Sequence, residues 1–258
     1  MKQEYKTLKD FIKIISLYNN PHIEELSVTE IARKLDMYPS KVSRMLSTLE
    51  AEEFIQRDLK TSKYRLGIGF FTLGMAYIFN LPLRKIVRPH IEQIARELNM
   101  TVSWAILRNS SVIVVDRVQN LNIDLLTYRL GLNVPIHCTS LGKILLAYLP
   151  PEKRKELLDS VELKRFTANT IVDPRVIEEN LKLSAERGYA VDEAETHADL
   201  NCLAVPIRNG TGEVIAAINI MDERSRNNPE KFFQLADYLK GKAFFISRQL
   251  GYGATMVE

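Results

Sequence analysis

The segment Ser27–Leu49 constrains this chain most, because it sets two apolar stripes so close together that only a tight turn fits between them. Ser27 followed by Glu30 is a capping box, in which each side chain can bond a free backbone N–H of the first helical turn. Val28, Ile31, Ala32 and Leu35 then repeat at helical spacing. This helix should end near Asp36. Met37 and Tyr38 complete the gap before Pro39, which suits a first helical position because its missing N–H would be unpaired there anyway. Val42, Met45, Leu46 and Leu49 form the next stripe. Two short helices joined in this way make a helix-turn-helix pattern. An earlier stripe, Leu8, Phe11, Ile12 and Ile15, predicts a preceding helix closed by Asn19, Asn20 and Pro21.

The outward face of the helix after Pro39 carries Ser40, Lys41, Ser43, Arg44, Ser47 and Thr48, with no acid until Glu50. Hydroxyls and cations of this kind can approach a phosphate backbone and read base edges. A plain solvated face is the competing reading. Downstream, Phe54–Arg57 and Lys63–Leu66 read as two strands around the polar turn Asp58–Ser62. Arg57, Lys60, Lys63 and Arg65 make this hairpin basic, as expected of a wing that grips phosphates or a minor groove. The alternative is a solvated β-turn.

Gly67–Phe79 is apolar nearly all round and needs cover that a lone linker helix cannot supply, so a second copy of the chain is expected there. Pro82–Leu98 reads as a helix that Pro89 should kink or break after Arg88. Strands are predicted at Thr101–Leu107, Ser111–Val118, Ile123–Leu130, Asn201–Ile207 and Glu213–Met221, with Pro135–Cys138 extended. Helices are predicted at Thr139–Tyr148, Pro151–Leu158, Asp173–Arg187 and Phe232–Leu250. This mixture makes an α+β domain.

A length of 258 residues suits two domains, and 46% hydrophobic with 26% charged residues is ordinary globular composition. The net charge of +3 is too small to argue nucleic-acid binding by itself, so the placement of the cations carries that argument. Two cysteines, Cys138 and Cys202, fit reduced thiols in a cytoplasm better than a disulfide framework. The start MKQEYKTLKD has no apolar core behind it, so no secretory leader is expected. Ile68–Leu83 is too short and interrupted to span a bilayer, and no membrane partner is expected. His22, His90, His137 and His197 are scattered, so no metal is expected.

At this point the chain resembles the IclR family of bacterial regulators. The resemblance rests on ELSVTEIARKLDMYPSKVSRMLSTL from Glu25, YRLGIGFFTLG from Tyr64, PIHCTSLGKILLA from Pro135, RGYAVDEAE from Arg187 and CLAVPI from Cys202, in order along nearly the whole chain. It implies a winged helix-turn-helix over residues 1–66, a linker and dimerisation helix over 67–81, and a GAF-like effector-binding domain over 82–250, with 251–258 a flexible tail. It also implies a homodimer or homotetramer on palindromic double-stranded operator DNA, a repressor more than an activator, and no cofactor. Ser40, Lys41, Ser43, Arg44, Ser47, Arg57, Lys63 and Arg65 are the expected DNA contacts.

The stretch Thr139–Gly142 opens a helix, where free N–H groups and the helix dipole favour an anion, and Gly142 allows close backbone approach. A merely capped helix would look the same. The resemblance implies an effector pocket built from Ser140, Leu141, Gly142, Asp192, Cys202, Asn219 and Met221, for a small metabolite such as an organic acid. Where the family usually has glycine, this chain has Asp199, a carboxylate near the pocket mouth. Two rivals differ in class. Ser140 and Lys143 form S-x-x-K, the nucleophile motif of a serine acyl enzyme, but the companion S-D-N and K-T-G elements are missing. The other is a DNA-binding protein without a ligand. His137 beside Cys138 does not make a thiol nucleophile, because neighbours on an extended segment point apart.

Overall fold

In the computed structural model the described residues are 5–20, 22–119, 131, 133–222 and 232–253. The chain separates into two compact units, Met1–Leu81 and Pro82–Glu258.

The first unit begins with α1 (Lys6–Ser16), a short 3-10 turn (Leu17–Asn19), α2 (Val28–Leu35) and α3 (Pro39–Ala51). The capping box at Ser27 is complete. Asp36 ends α2 in the left-handed conformation, φ +51°, and the Met37 N–H bonds back to the Ala32 carbonyl at 2.9 Å. Strands β1 (Ile55–Arg57) and β2 (Tyr64–Leu66) pair antiparallel, with Gln56 opposite Arg65. Ile14, Ile31, Val42, Leu46, Ile55 and Tyr64 share one core. Tyr18 donates its hydroxyl to the Tyr64 carbonyl at 2.7 Å, and burial pushes that phenol up to about 12. The Leu26 and Tyr64 main chains exchange two hydrogen bonds, which fastens the hairpin beside α2.

Helix α4 (Ile68–Asn80) follows. Its start is pinned to the wing: Gly67 N–H bonds the Phe54 carbonyl at 2.7 Å, and Phe70 meets Phe54 edge-on. None of its residues is buried, and Ile68, Phe71, Leu73, Tyr77 and Phe79 are exposed.

The second unit holds α5 (Pro82–Leu98), β3 (Thr101–Arg108), β4 (Ser111–Val118), β5 (Asn133–Val134), α6 (Ser140–Ala147), α7 (Pro151–Asp159), α8 (Pro174–Arg187), β6 (Ala190–Glu193), β7 (Asn201–Arg208), β8 (Val214–Asp222) and α9 (Ala236–Gln249). The sheet order is β5-β4-β3-β8-β7-β6, antiparallel throughout. Ala105, Cys202, Ala204, Ala217 and Met221 point into one core with Leu141 and Ile144 of α6 and Leu181 of α8. Their strand neighbours Val102, Trp104, Leu203, Val205, Ile218 and Ile220 are equally buried, so the second face must be covered too. Helices α5 and α9, which pack on β3, β4 and β7, supply that cover. Asp116 of β4 ties α5 down through Arg84 at 2.8 Å and Arg88 at 2.7 Å. The fold is α+β, a winged helix-turn-helix followed by a GAF-like domain.

Several expectations need correction. Of the kink or break offered at Pro89, the break does not occur, and α5 runs on through it. Pro135–Cys138 is not extended: its last three residues form a turn, because the Thr139 hydroxyl donates to the Pro135 carbonyl at 2.6 Å and folds the segment back onto the helix start. The last helix begins at Ala236 after a turn in which Leu235 N–H bonds the Phe232 carbonyl. Strand β6, four residues long, was too short to give an alternation. The strand expected at Ile123–Leu130 lies outside the described residues.

Candidate functional site

Two candidate sites follow from this architecture, one in each unit. In the first, the outward face of α3 presents Ser40, Arg44, Ser47 and Thr48 to solvent, with Ser43 half-buried. Lys41 behaves differently. Its ammonium lies against the buried Asp10 carboxylate of α1, which it holds below the usual carboxylate range. It therefore joins α3 to α1 as well as adding charge. Arg44 carries no such tie among the described residues. On the wing, exposed Arg57 reaches the Ser62 hydroxyl at 3.4 Å and stacks over Tyr64 at 5.9 Å. Arg65 donates to the Gln56 side chain at 3.2 Å, and Lys63 sits 3.7 Å from Glu25.

In the second unit, Thr139 caps α6 by accepting from the Gly142 N–H at 2.9 Å. All eight residues of α6 are buried. Helix α6 packs on the strands that carry the remaining predicted pocket residues. Asp192 pairs with Cys202, Cys202 with Met221, and Asn219 with Ala204 and Ser103, so these side chains share one face. Ser103 donates its hydroxyl to the Asn219 amide oxygen at 2.6 Å. That bond fixes the amide, and Asn219 Nδ2, like Ser140 Oγ, is buried with no hydrogen-bond partner among the described residues. A buried polar atom without a partner costs free energy, and pocket-lining groups awaiting a ligand are one reason to keep it. Gly142 meets its own chain: a Cβ there would lie 2.4 Å from the Ile136 carbonyl oxygen.

Asp192 builds the connection after β6. It accepts from the Glu195 N–H at 2.7 Å and from the Thr196 hydroxyl at 2.5 Å, while burial raises its carboxyl above the usual range. Glu195 meets Lys143 of α6, whose ammonium also donates to the Val191 carbonyl at 3.0 Å. Burial lifts the Glu195 carboxyl to about 7 against the pull of that ammonium. The Lys143 ammonium bonds Glu195 and Val191 and makes no hydrogen bond to Ser140 Oγ, so the two do not form a base–nucleophile pair in this arrangement. Cys138 is buried and its thiol is pushed up, away from the thiolate a nucleophile needs. His137 instead bonds the Lys164 carbonyl at 3.0 Å and stacks on Phe166.

Sequence reasoning missed Ser103, Asp10 and the Lys143–Glu195 pair. The one available signal was the small polar pair Thr101 and Ser103 at alternate positions of an otherwise apolar strand. Among the described residues no helix is long and apolar enough to cross a membrane, and no group of three or more His, Cys, Asp or Glu is set to hold a metal.

The profile described as bacterial transcriptional regulator IclR C-terminal matches residues 75–248, well over half of the chain. The chain belongs to the IclR family. The IclR helix-turn-helix profile matches residues 20–59, the span that holds α2, α3 and the start of the wing. Among curated IclR relatives, the HTH-type transcriptional repressor AllR of Klebsiella pneumoniae is 31% identical over 225 residues, covering 87% of this chain and 83% of its own length. The crystal structure of the Thermotoga maritima IclR is 32% identical, with a TM-score of 0.69 and coverage of 95% and 98% of the two chains. An IclR homologue from Microbacterium hydrocarbonoxydans, solved with 4-hydroxybenzoate, is 25% identical, with a TM-score of 0.78 and coverage of 95% and 99%. As a member of this family the chain is a DNA-binding transcriptional regulator.

Proposed function

We propose that the chain is a repressor whose grip on a palindromic operator is set by a small organic acid bound in its C-terminal unit. The observation that carries the ligand half is the pair of donors without a partner among the described residues, Ser140 Oγ at the capped start of α6 and Asn219 Nδ2 on β8, a strand that packs on α6. Two donors and a helix N-terminus suit a carboxylate, with Leu141, Cys202 and Met221 lining the apolar side. Asp192 shapes the wall, and Gly142 lets α6 sit close against Ile136. On the DNA half, Arg44, Ser40, Ser43 and Ser47 face bases and phosphates, and Arg57, Lys63 and Arg65 hold flanking phosphates. Lys41 contributes while it keeps Asp10 in place.

The working division is residues 1–66 for DNA, 67–81 for pairing with a second copy, and 82–250 for the ligand. Five exposed apolar side chains on α4 favour the pairing, since a helix with no buried residue must find cover. A cytoplasmic location follows from work on chromosomal DNA.

The test uses the full chain. A duplex is selected from a random-sequence library, and its affinity is followed by fluorescence anisotropy with and without a panel of small carboxylates that includes 4-hydroxybenzoate. The expected result is that one of them binds and shifts operator affinity by a coupling of about 1–3 kcal/mol, and that Ser140→Ala with Asn219→Ala removes the shift. Ligand binding that leaves operator affinity untouched overturns the sensor reading.

A further inference from the structure

Among the described residues the two most exposed large apolar side chains are Leu59, at 91%, and Tyr38, at 81%. Both belong to the helix-turn-helix unit, and each stands at the tip of an element that the DNA-binding reading turns toward a duplex. Leu59 is at the point of the wing. Tyr38 is the N-cap residue of α3.

Neither is needed where it sits. The wing turn is built by Asp58, whose carboxylate accepts from the Lys60 and Thr61 N–H groups at 2.8 Å each, and whose carbonyl accepts from the Ser62 N–H at 2.9 Å. The Leu59 side chain enters none of these bonds. Tyr38 starts α3 through its main chain alone, its carbonyl accepting from the Lys41 and Val42 N–H groups at 3.0 and 3.2 Å. Its hydroxyl has no partner among the described residues. Both side chains are flanked by exposed cations and hydroxyls: Arg57, Lys60 and Arg65 on the wing, Ser40 and Arg44 on α3. Such neighbours contact phosphates and the polar edges of bases. An apolar tip between them has a different use. In a minor groove a leucine can wedge against base steps, and in a major groove an aromatic ring can cover a thymine methyl.

We propose that Leu59 and Tyr38 are the apolar, sequence-reading contacts of this regulator, Leu59 in the minor groove under the wing and Tyr38 against base edges at the start of the recognition helix. The proposal rests on the DNA-binding reading above.

The full-length wild-type protein first selects a duplex from a random library. Affinity for that duplex is then measured over a salt series. Leu59→Ala and Tyr38→Ala should each lower affinity about tenfold while leaving the slope of log affinity against log salt unchanged, because an apolar contact releases no counterions. Lys60→Ala should instead flatten that slope by about 1. Leu59→Met and Tyr38→Phe should restore most of the affinity, and repeat selection with the alanine variants should give relaxed base preference. Melting temperatures should not move, since neither side chain is packed. Wild-type affinity in both alanine variants overturns the proposal while leaving DNA binding in place. Loss of affinity accompanied by a smaller assembly in sedimentation also overturns it, since the residues would then serve a protein interface. Failure of the wild type to enrich any duplex would instead remove the DNA-binding reading, and this proposal with it.

Discussion

Lys41 on the recognition helix and Asp10 on the first helix form an ion pair that closes the inner side of the helix-turn-helix. The two cations of α3 thus have different work, and substitution should separate them. Arg44→Ala is expected to lower operator affinity at least tenfold and flatten its salt dependence by about 1, with no change in melting temperature. Lys41→Ala leaves the Asp10 carboxylate buried without its partner, so it should lower the melting temperature as well. Anisotropy and thermal melts on the same two variants check both statements.

Ser140 and Asn219 invite the opposite test. Because Ser140 Oγ makes no hydrogen bond among the described residues, Ser140→Ala should change stability by less than about 0.5 kcal/mol or raise it slightly. The same variant should lose the thermal shift given by a bound carboxylate. A marked fall in stability of the unliganded variant would show that the hydroxyl serves the fold.

Gly142 should tolerate nothing larger. A methyl group there must displace the Ile136 main chain, so Gly142→Ala is expected to cost about 1–3 kcal/mol in chemical denaturation.

Glu195 gives a pH dependence with a defined sign. Its carboxyl is raised from the ordinary 4.5 to about 7, so between those values the folded chain holds a proton that the unfolded chain has released. Stability from this group is greatest on the acid side and is lost as pH rises through that window. Glu195→Gln should flatten the fall in melting temperature across it. An equal slope in variant and wild type would assign the dependence to other groups.

Helix α4 predicts the assembly. Phe71→Asp together with Leu73→Asp should halve the mass seen in sedimentation if this face is where two copies meet. An unchanged mass would place the interface elsewhere.

What could be read from the sequence was local. The Ser27 cap, Pro39 and the apolar stripes of α2 and α3 act within a few residues, and each appears where its spacing put it. The shared face of Asn219 and Met221 followed from strand alternation alone. The links that shape the sites were hidden because they join distant positions: Lys41 to Asp10 across 31 residues, Lys143 to Glu195 across 52, and Ser103 to Asn219 across 116. The break offered at Pro89 is absent for a related reason. Tertiary ties from Arg84 and Arg88 to Asp116 hold α5 together around a residue that would weaken an isolated helix.

Helix α6 has no side that touches water, and it is gripped by α8 on one flank and by strands β3, β6, β7 and β8 on the other. It can yield to a push at Ser140 only by carrying those neighbours along, as a piston carries its cylinder when the fit leaves no clearance. Anything that docked at that end would load four of the six strands at once.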